Sequence, residues 1–131
     1  MRTPTSFLLL FILVIGCTEE EVKPINNGPE INIISPNSDY IPPIGSAVEI
    51  NANITDENEV HDVTINITND YTDTSEIEIF FDHIHNTTFS VDTSFITDIP
   101  SGSMANYTIQ ISAEDMLGNS NSKSVTIHVM D

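Results

Sequence analysis

The 131-residue chain has only three Lys and Arg residues against 20 Asp and Glu, a single Cys and no Trp. One cysteine cannot form an intramolecular disulfide, which excludes a disulfide-stapled scaffold. The formal net charge of −17 argues against nucleic acid as a partner, because a surface of the same sign repels a polyanion. The same charge favours metal cations and basic partners. The length fits one domain.

Sequence motifs of catalysis and of nucleotide binding are also lacking. The chain contains no Gly-x-Gly-x-x-Gly phosphate loop and no Gly-x-Ser-x-Gly elbow. Pairs of carboxylates are present, but with 20 acidic residues some pair would match the needs of glycoside hydrolysis by chance. We therefore predict that the protein is not an enzyme.

The longest apolar run lies at the amino terminus, where residues 7–15 follow Arg2. It is too short for a bilayer span of roughly 20 residues and suits a signal-peptide core of ~7–15. The run ends in Val-Ile-Gly-Cys at residues 14–17, which resembles the lipobox of bacterial lipoproteins. This resemblance implies that the signal peptide is cleaved before Cys17 and that the Cys17 thiol is acylated. Incorporation of labelled palmitate would test the acylation. The alternative is an ordinary secretory signal with a chance cysteine.

Acidic and linker-like residues follow Cys17. Residues 18–21, Thr-Glu-Glu-Glu, resemble the surface-export signal of lipoproteins in some Gram-negative bacteria, and a solvated tether is the alternative. Residues 22–29 hold two prolines and an Asn-Asn-Gly step, which indicate a linker. We predict a signal peptide over residues 1–16, an acylated acidic tether over 17–29 and one domain over 30–131.

From residue 30 onwards, apolar and polar residues alternate with a period of two. Such alternation predicts strands with one buried and one solvated face. Seven windows show it, and their inward positions are Ile31 and Ile33; Val48, Ile50, Ala52 and Ile54; Val63, Ile65 and Ile67; Ile77, Ile79 and Phe81; Phe89, Val91 and Phe95; Tyr107, Ile109, Ile111 and Ala113; Val125, Ile127 and Val129. β-Branched residues dominate these windows and favour strands. We predict an all-β fold, a single β-sandwich of about seven strands.

Two local patterns narrow the sandwich to an immunoglobulin-like one. Residues 98–111 place a turn before a strand that opens with Tyr107, which resembles a tyrosine corner, whose phenol hydroxyl bonds upstream backbone. Residues 113–120, Ala-Glu-Asp-Met-Leu-Gly-Asn-Ser, resemble the A-x-D-x-x-G-N hairpin of bacterial Ig-like, fibronectin-type-III-like and cadherin-like modules. Gly118 stands where a tight hairpin demands positive φ. Residues 54–63 look like the matching turn between the second and third strands. The chain thus resembles a family of bacterial surface lipoproteins with a single Ig-like domain.

The resemblance implies that the turn at residues 54–63, the hairpin at residues 113–120 and the start of the first strand meet at one rim of the sandwich. Calcium prefers six to eight oxygen ligands, and cadherin-like modules place it at such a rim. The candidate calcium ligands are Glu30, Asp56, Glu57, Asp115 and Asn119, with Asn58 beside them. The alternative is that these Asp and Asn side chains form turns by bonding local backbone.

Histidine is the other metal-binding residue type in the chain. Members of the family that the chain resembles are rich in histidine around the middle strands, whereas this chain has only His61, His83, His85 and His128. If the fourth strand continued past Phe81, His83 and His85 would point to one side with bases ~6–7 Å apart. With Asp82 and a neighbouring His61 they would then form a transition-metal site. The alternative is that they are loop histidines beyond the end of the strand, and His128 is expected to be exposed on the outward phase.

These features predict a lipid-anchored protein of the bacterial outer membrane, exposed on the cell surface, that binds a protein or glycan ligand and performs no catalysis. The alternative is a structural or accessory subunit of an envelope assembly that faces the periplasm. Three aromatic residues fall outside the inward phase and are available for glycan stacking: Tyr40, Tyr71 and Phe80.

Overall fold

The computed structural model describes residues 28–72 and 75–131, and its regular structure is entirely β. The strands are β1 (Glu30–Ser35), β2 (Ala47–Asn69), β3 (Ser75–Phe81), β4 (Asn86–Ile96), β5 (Met104–Asp115) and β6 (Ser120–Met130). In these two ranges no helix could cross a membrane. The predicted signal peptide, Cys17 and most of the predicted tether lie outside the described residues.

β2 is 23 residues long and contributes to both layers of the fold. Its first half, residues 47–55, pairs with β1 and β4, and its second half, residues 60–69, pairs with β3 and β5. A strand has only two sides for pairing, so four partners require β2 to pass from one layer to the other. β6 pairs with β5. Three strands therefore face four in a two-layer antiparallel sandwich.

The prediction of a single all-β sandwich is confirmed, with one difference in how the strands are divided. The predicted second and third strands are the two halves of β2, because the four residues between them bend tightly without leaving the strand. The register shifts between Thr55 and Val60, Glu59 has a φ of 65°, and the Asp56 carboxylate accepts a hydrogen bond of 2.7 Å from the Asn58 N–H. This bend replaces the wider turn expected over residues 54–63.

The core lies between the two layers and consists of the inward positions of the alternating pattern. The central strands supply fully buried side chains, each contributing ~1.5–3 kcal/mol relative to exposure. β3 lies at an edge, and its inward-facing Ile77, Ile79 and Phe81 are only half-buried. The buried apolar residues are Ile31, Val48, Ile50, Ala52, Ile54, Val60, Val63, Ile65, Ile67, Val91, Phe95, Ile99, Ala105, Tyr107, Ile109, Ile111, Ala113, Ile127 and Val129.

The two ends of the sandwich are built from different parts of the chain. The N-terminal end, where the described chain begins, consists of residues 28–30, 55–60, 82–86 and 115–120. The distal end consists of residues 36–46, 69–72, 96–104 and 130–131. At the N-terminal end, the Asn121 side-chain amide donates a hydrogen bond of 3.2 Å to the Pro29 carbonyl. The described chain therefore begins at this end.

Candidate functional site

Three of the predicted calcium ligands line one open hollow at the N-terminal end. Glu30 begins β1, while Asp56 and Glu57 lie in the bend of β2, and pairing of Glu30 with Thr55 brings these segments together. The side chains of Glu30 and Glu57 are exposed and that of Asp56 is half-buried. The structure thus gathers three carboxylates on the strand-one side of the rim.

The other two predicted ligands close the hairpin between β5 and β6. The Asp115 carboxylate is 1% exposed and accepts hydrogen bonds from the Leu117 N–H at 2.9 Å, the Asn119 N–H at 2.8 Å and the Asn119 side-chain amide at 2.9 Å. Gly118 has a φ of 82°, a conformation that glycine adopts without steric cost. Both Asp115 and Asn119 therefore serve the turn directly.

These contacts match the turn-forming alternative for Asp56 and Asp115. Across residues 28–72 and 75–131, no group of three or more His, Cys, Asp or Glu side chains has the arrangement of a metal site. Calcium binding stays a prediction, and a calcium titration of the melting temperature tests it, because a ligand of the native state raises that temperature.

Three histidines meet beside the same bend. His61 lies near the start of the second half of β2. His83 and His85 lie in the connection between β3 and β4, so these two are loop residues, which is the alternative given above for them. The ring centroids lie 5.3 Å apart for His61 and His83, 5.4 Å for His61 and His85, and 5.8 Å for His83 and His85. The spacing in the sequence places His83 and His85 close together. His61 joins them only because the strands pair.

The fourth histidine lies at the other end of the sandwich. His128 is half-buried on β6, and its Nδ1 is 3.0 Å from the Asn106 side-chain oxygen. Asn106 also donates from its backbone N–H and its side-chain amide to the Asp70 carboxylate, each at 2.8 Å. These bonds from Asn106 hold the pKa of Asp70 below its ordinary value.

Tyr107 connects the core to the connection between β4 and β5. Its ring is 3% exposed and packs 5.6 Å from the Phe95 ring between centroids. Its hydroxyl oxygen accepts a hydrogen bond of 3.0 Å from the Asp98 N–H, nine residues upstream. This is the geometry of a tyrosine corner.

The distal end carries most of the exposed apolar side chains among the described residues. Among the described residues, ten large apolar side chains are exposed. Six of them lie at the distal end: Tyr40, Ile41, Tyr71, Ile96, Met104 and Met130. Sequence reasoning selected the two tyrosines and missed the other four. A usable signal exists for Ile96, Met104 and Met130, each an apolar residue on the outward phase at the end of a strand.

Comparison with known proteins identifies a family. Among solved structures, the chain is similar to the fibronectin(III)-like modules of Clostridium thermocellum CbhA, with 15% identity and a TM-score of 0.48 over 80% of this chain and 48% of that one. The chain thus spans about half of that structure's length. No curated protein matches it. Residues 15–130 match the family profile described as a domain of unknown function, DUF4625, and the chain therefore belongs to the DUF4625 family.

Proposed function

We propose that the protein is a lipid-anchored module of the bacterial cell surface that binds a protein or glycan with its distal end and performs no catalysis. The observation that carries the proposal is the distribution of exposed apolar side chains. Six of ten lie at the distal end, opposite the point where the chain reaches the domain. A contiguous exposed apolar patch is typical of interaction sites, and the proposal takes these six side chains to form one.

The tether length supports this orientation. Ten residues separate Cys17 from Gly28, and they reach ~35 Å at most when fully extended. The 12-residue β5 spans ~40 Å at ~3.3 Å per residue. If the Cys17 thiol is acylated, the N-terminal end stays within the tether's reach of the bilayer and the distal end stands about one domain length farther out.

The charge of the chain supports the same arrangement. The whole chain has a formal net charge of −17, and an acidic surface is repelled by anionic lipid headgroups, so the folded part has no electrostatic reason to lie on the membrane. Anchoring then depends on the acyl chains, and more than one buried chain makes attachment stable. The acidic residues 19–21 support export to the outer face.

Tyr40 and Tyr71 are the residues best suited to a first contact with a ligand. Their side chains are 42% and 49% exposed, and both lie on connections between strands. A tyrosine offers an apolar ring face for stacking and a hydroxyl for hydrogen bonding. Either a sugar or a protein surface can use this combination.

The anchor is tested by metabolic labelling and by protease treatment of intact cells. Radiolabelled palmitate is expected to enter the wild-type protein and to be lost in Cys17→Ala, with Leu117→Ala as a control that keeps the cysteine. External protease is expected to remove the wild-type protein from intact cells. Absence of label from the wild-type protein would overturn the anchor, and protection from protease would overturn surface display.

The binding end is tested with the purified protein on a glycan array and on immobilised surface proteins. Tyr40→Ala and Tyr71→Ala are expected to reduce retention. Leu117→Ala removes an even more exposed side chain (69%) at the N-terminal end and is expected to leave retention unchanged. Equal losses from all three variants would refute the assignment of binding to the distal end.

A second candidate is a structural or accessory subunit of an envelope assembly that faces the periplasm. It is supported by the edge of β4, an 11-residue strand whose pairing among the described strands is with β2 alone. An edge of this length can accept a strand from a partner. Protection from external protease, together with palmitate labelling, would favour this candidate.

A further inference from the structure

We propose that His61, His83 and His85 form a binding site for a divalent transition-metal ion of the zinc type at the N-terminal end of the sandwich. The proposal is independent of the ligand assigned to the distal end. It rests on the approach of three imidazole rings from two separate segments of the chain, at ring-centroid distances of 5.3, 5.4 and 5.8 Å.

These distances agree with shared coordination. A zinc–nitrogen bond is ~2.0–2.1 Å, so the ring centres of imidazoles on one tetrahedral ion lie about 5 Å apart. The observed triangle is a few tenths of an ångström larger on each side. The spacing of the ring centres therefore fits one shared ion, and rotation of the rings would bring one nitrogen of each to it.

The backbone that carries the three histidines is held on both sides. The Ile84 N–H donates a hydrogen bond of 3.0 Å to the His61 carbonyl, and Ile84 packs against the core between its two exposed histidine neighbours. Val60 pairs with Asn86 directly after the connection. The backbone of this connection is thus held against a strand, so only the side chains need to reorient for binding.

Backbone conformation at the two connection histidines is unusual. His83 has a φ of 55° and His85 a φ of 49°. A non-glycine residue in this region is uncommon, and such conformations cluster at binding and catalytic sites. The rings of both residues lie beside the His61 ring.

Two carboxylates orient the rings. The Asp62 carboxylate lies 3.2 Å from His61 Nδ1, and the Asp82 carboxylate contacts His83 Nδ1. A carboxylate that binds Nδ1–H leaves Nε2 as the metal-binding nitrogen, an arrangement common around metal-ligating histidines. Asp62 also accepts a hydrogen bond of 3.4 Å from the His83 N–H, joining the two segments. The carboxylates would in addition offset part of the ion's charge.

As the structure stands, the donor atoms of these described side chains do not converge on one point. Binding therefore requires rotation of the rings about their side-chain torsions. The side chains of His83 and His61 are 70% and 29% exposed, so neighbouring atoms leave room for another rotamer. Imidazole ligands select zinc, copper and nickel over calcium and magnesium, which separates this site from the predicted calcium rim.

The test uses the full-length protein, purified in mild detergent and stripped of metal with a chelator that is then removed. Zn²⁺ is titrated in competition with a chromophoric chelator, and Ca²⁺ and Mg²⁺ serve as metal controls. One Zn²⁺ per chain is expected. His61→Gln and His85→Gln are expected to weaken zinc binding by more than the about tenfold loss expected for Asp62→Asn, which removes only an orienting carboxylate. His128→Gln, at the distal end, is the matched control and is expected to leave zinc affinity unchanged.

A second measurement uses only the wild-type chain and so does not depend on how the variants fold. In proton NMR spectra, zinc is expected to shift the imidazole signals of His61, His83 and His85 and to leave those of His128 in place. Absence of zinc binding by the wild-type protein, equal affinity in His61→Gln, or equal shifts at all four histidines would overturn the site.

Discussion

The two ends of the sandwich are closed by the same chemistry and expose different surfaces. At the N-terminal end the buried Asp115 carboxylate accepts three hydrogen bonds from its own hairpin. At the distal end the Asn69 side-chain oxygen, also buried, accepts three from Tyr71 and Thr72. Turn closure therefore does not distinguish the ends. The difference lies outside the turns, where the N-terminal end carries the three clustered histidines and the distal end carries six of the ten exposed large apolar side chains.

This comparison separates residues that hold the fold from residues available for binding. The side chains of Asp115 and Asn69 both form hydrogen bonds within their own turns. From the sequence alone, an acidic loop residue such as Asp115 is an obvious candidate metal ligand. The histidines and the exposed tyrosines make fewer structural bonds and lie on the outside of the turns. The proposed binding surfaces of this protein thus lie next to the turn-forming residues.

The largest expected effect comes from the two turn acceptors. Asp115→Ala is expected to lower the free energy of unfolding by about 3 kcal/mol and Asn69→Ala by about 1–2 kcal/mol, because bonds to a charged acceptor are the stronger ones. Urea denaturation of both variants measures the difference, and Asp115→Asn isolates the contribution of charge. Equal losses for the two alanine variants would show that charge is irrelevant at the N-terminal end.

A smaller difference is expected between two glycines of similar backbone conformation. Gly28 and Gly45 have φ values of 75° and 77°, so alanine carries a similar strain of about 1 kcal/mol at each. A Cβ at Gly28 would lie 2.8 Å from the Ser120 carbonyl carbon, whereas nothing lies within 4 Å at Gly45. Gly28→Ala is expected to lower the free energy of unfolding by more than Gly45→Ala does. The additional loss is expected to appear as faster hydrogen exchange of the backbone around Ser120. Identical behaviour of both variants would contradict the close approach at the N-terminal end.

Removal of the Tyr107 hydroxyl is expected to cost about 1 kcal/mol. Tyr107→Phe keeps the buried ring but deprives the Asp98 N–H of its acceptor. Thermal denaturation of the variant, compared with the outward-facing Tyr40→Phe, provides the measurement. A melting temperature equal to that of the wild type would show that this hydroxyl does not stabilise the distal end.

The smallest effect is expected at Asp70 and depends on pH. Asn106 lowers the pKa of the Asp70 carboxyl from its ordinary 3.8. A carboxyl with a lower pKa in the folded state stabilises the protein above its unfolded pKa, and this stabilisation is lost as the pH falls through the folded pKa. Asp70→Asn is therefore expected to destabilise by less than about 1 kcal/mol near neutral pH, because the pair is exposed. The difference from wild type should disappear in acid, and its persistence there would contradict the assignment.

The strand pattern was predictable because alternation has a local cause. A residue such as Ile50 or Ile109 lies inward because its neighbours on either side are polar, and both are fully buried. The hairpin at Gly118 and the corner at Tyr107 were recognisable for the same reason, since each depends on a few consecutive residues. The continuity of β2 was not predictable, because Asp56 and Asn58 are residues typical of turns. In the structure their backbone nevertheless remains in the strand.

The histidine cluster shows where local reasoning ends. His83 and His85 are neighbours in any conformation of the connection, but His61 lies 22 residues before His83 and reaches it only through the register of β2 with its partners. The distal apolar surface has the same origin. Tyr40, Ile96 and Met130 come from separate connections and strand ends, and nothing in their surroundings in the chain relates them to one another.

Amino-acid order alone dictates which side chains face inward, where the turns fall and how acidic the surface is, because each of these depends on nearest neighbours or on composition. The gathering of three histidines at the N-terminal end and of most exposed apolar side chains at the distal end arises only when the strands pair, since pairing brings together residues that are remote in the chain. The register of the sandwich therefore separates the proposed metal site from the proposed partner-binding surface.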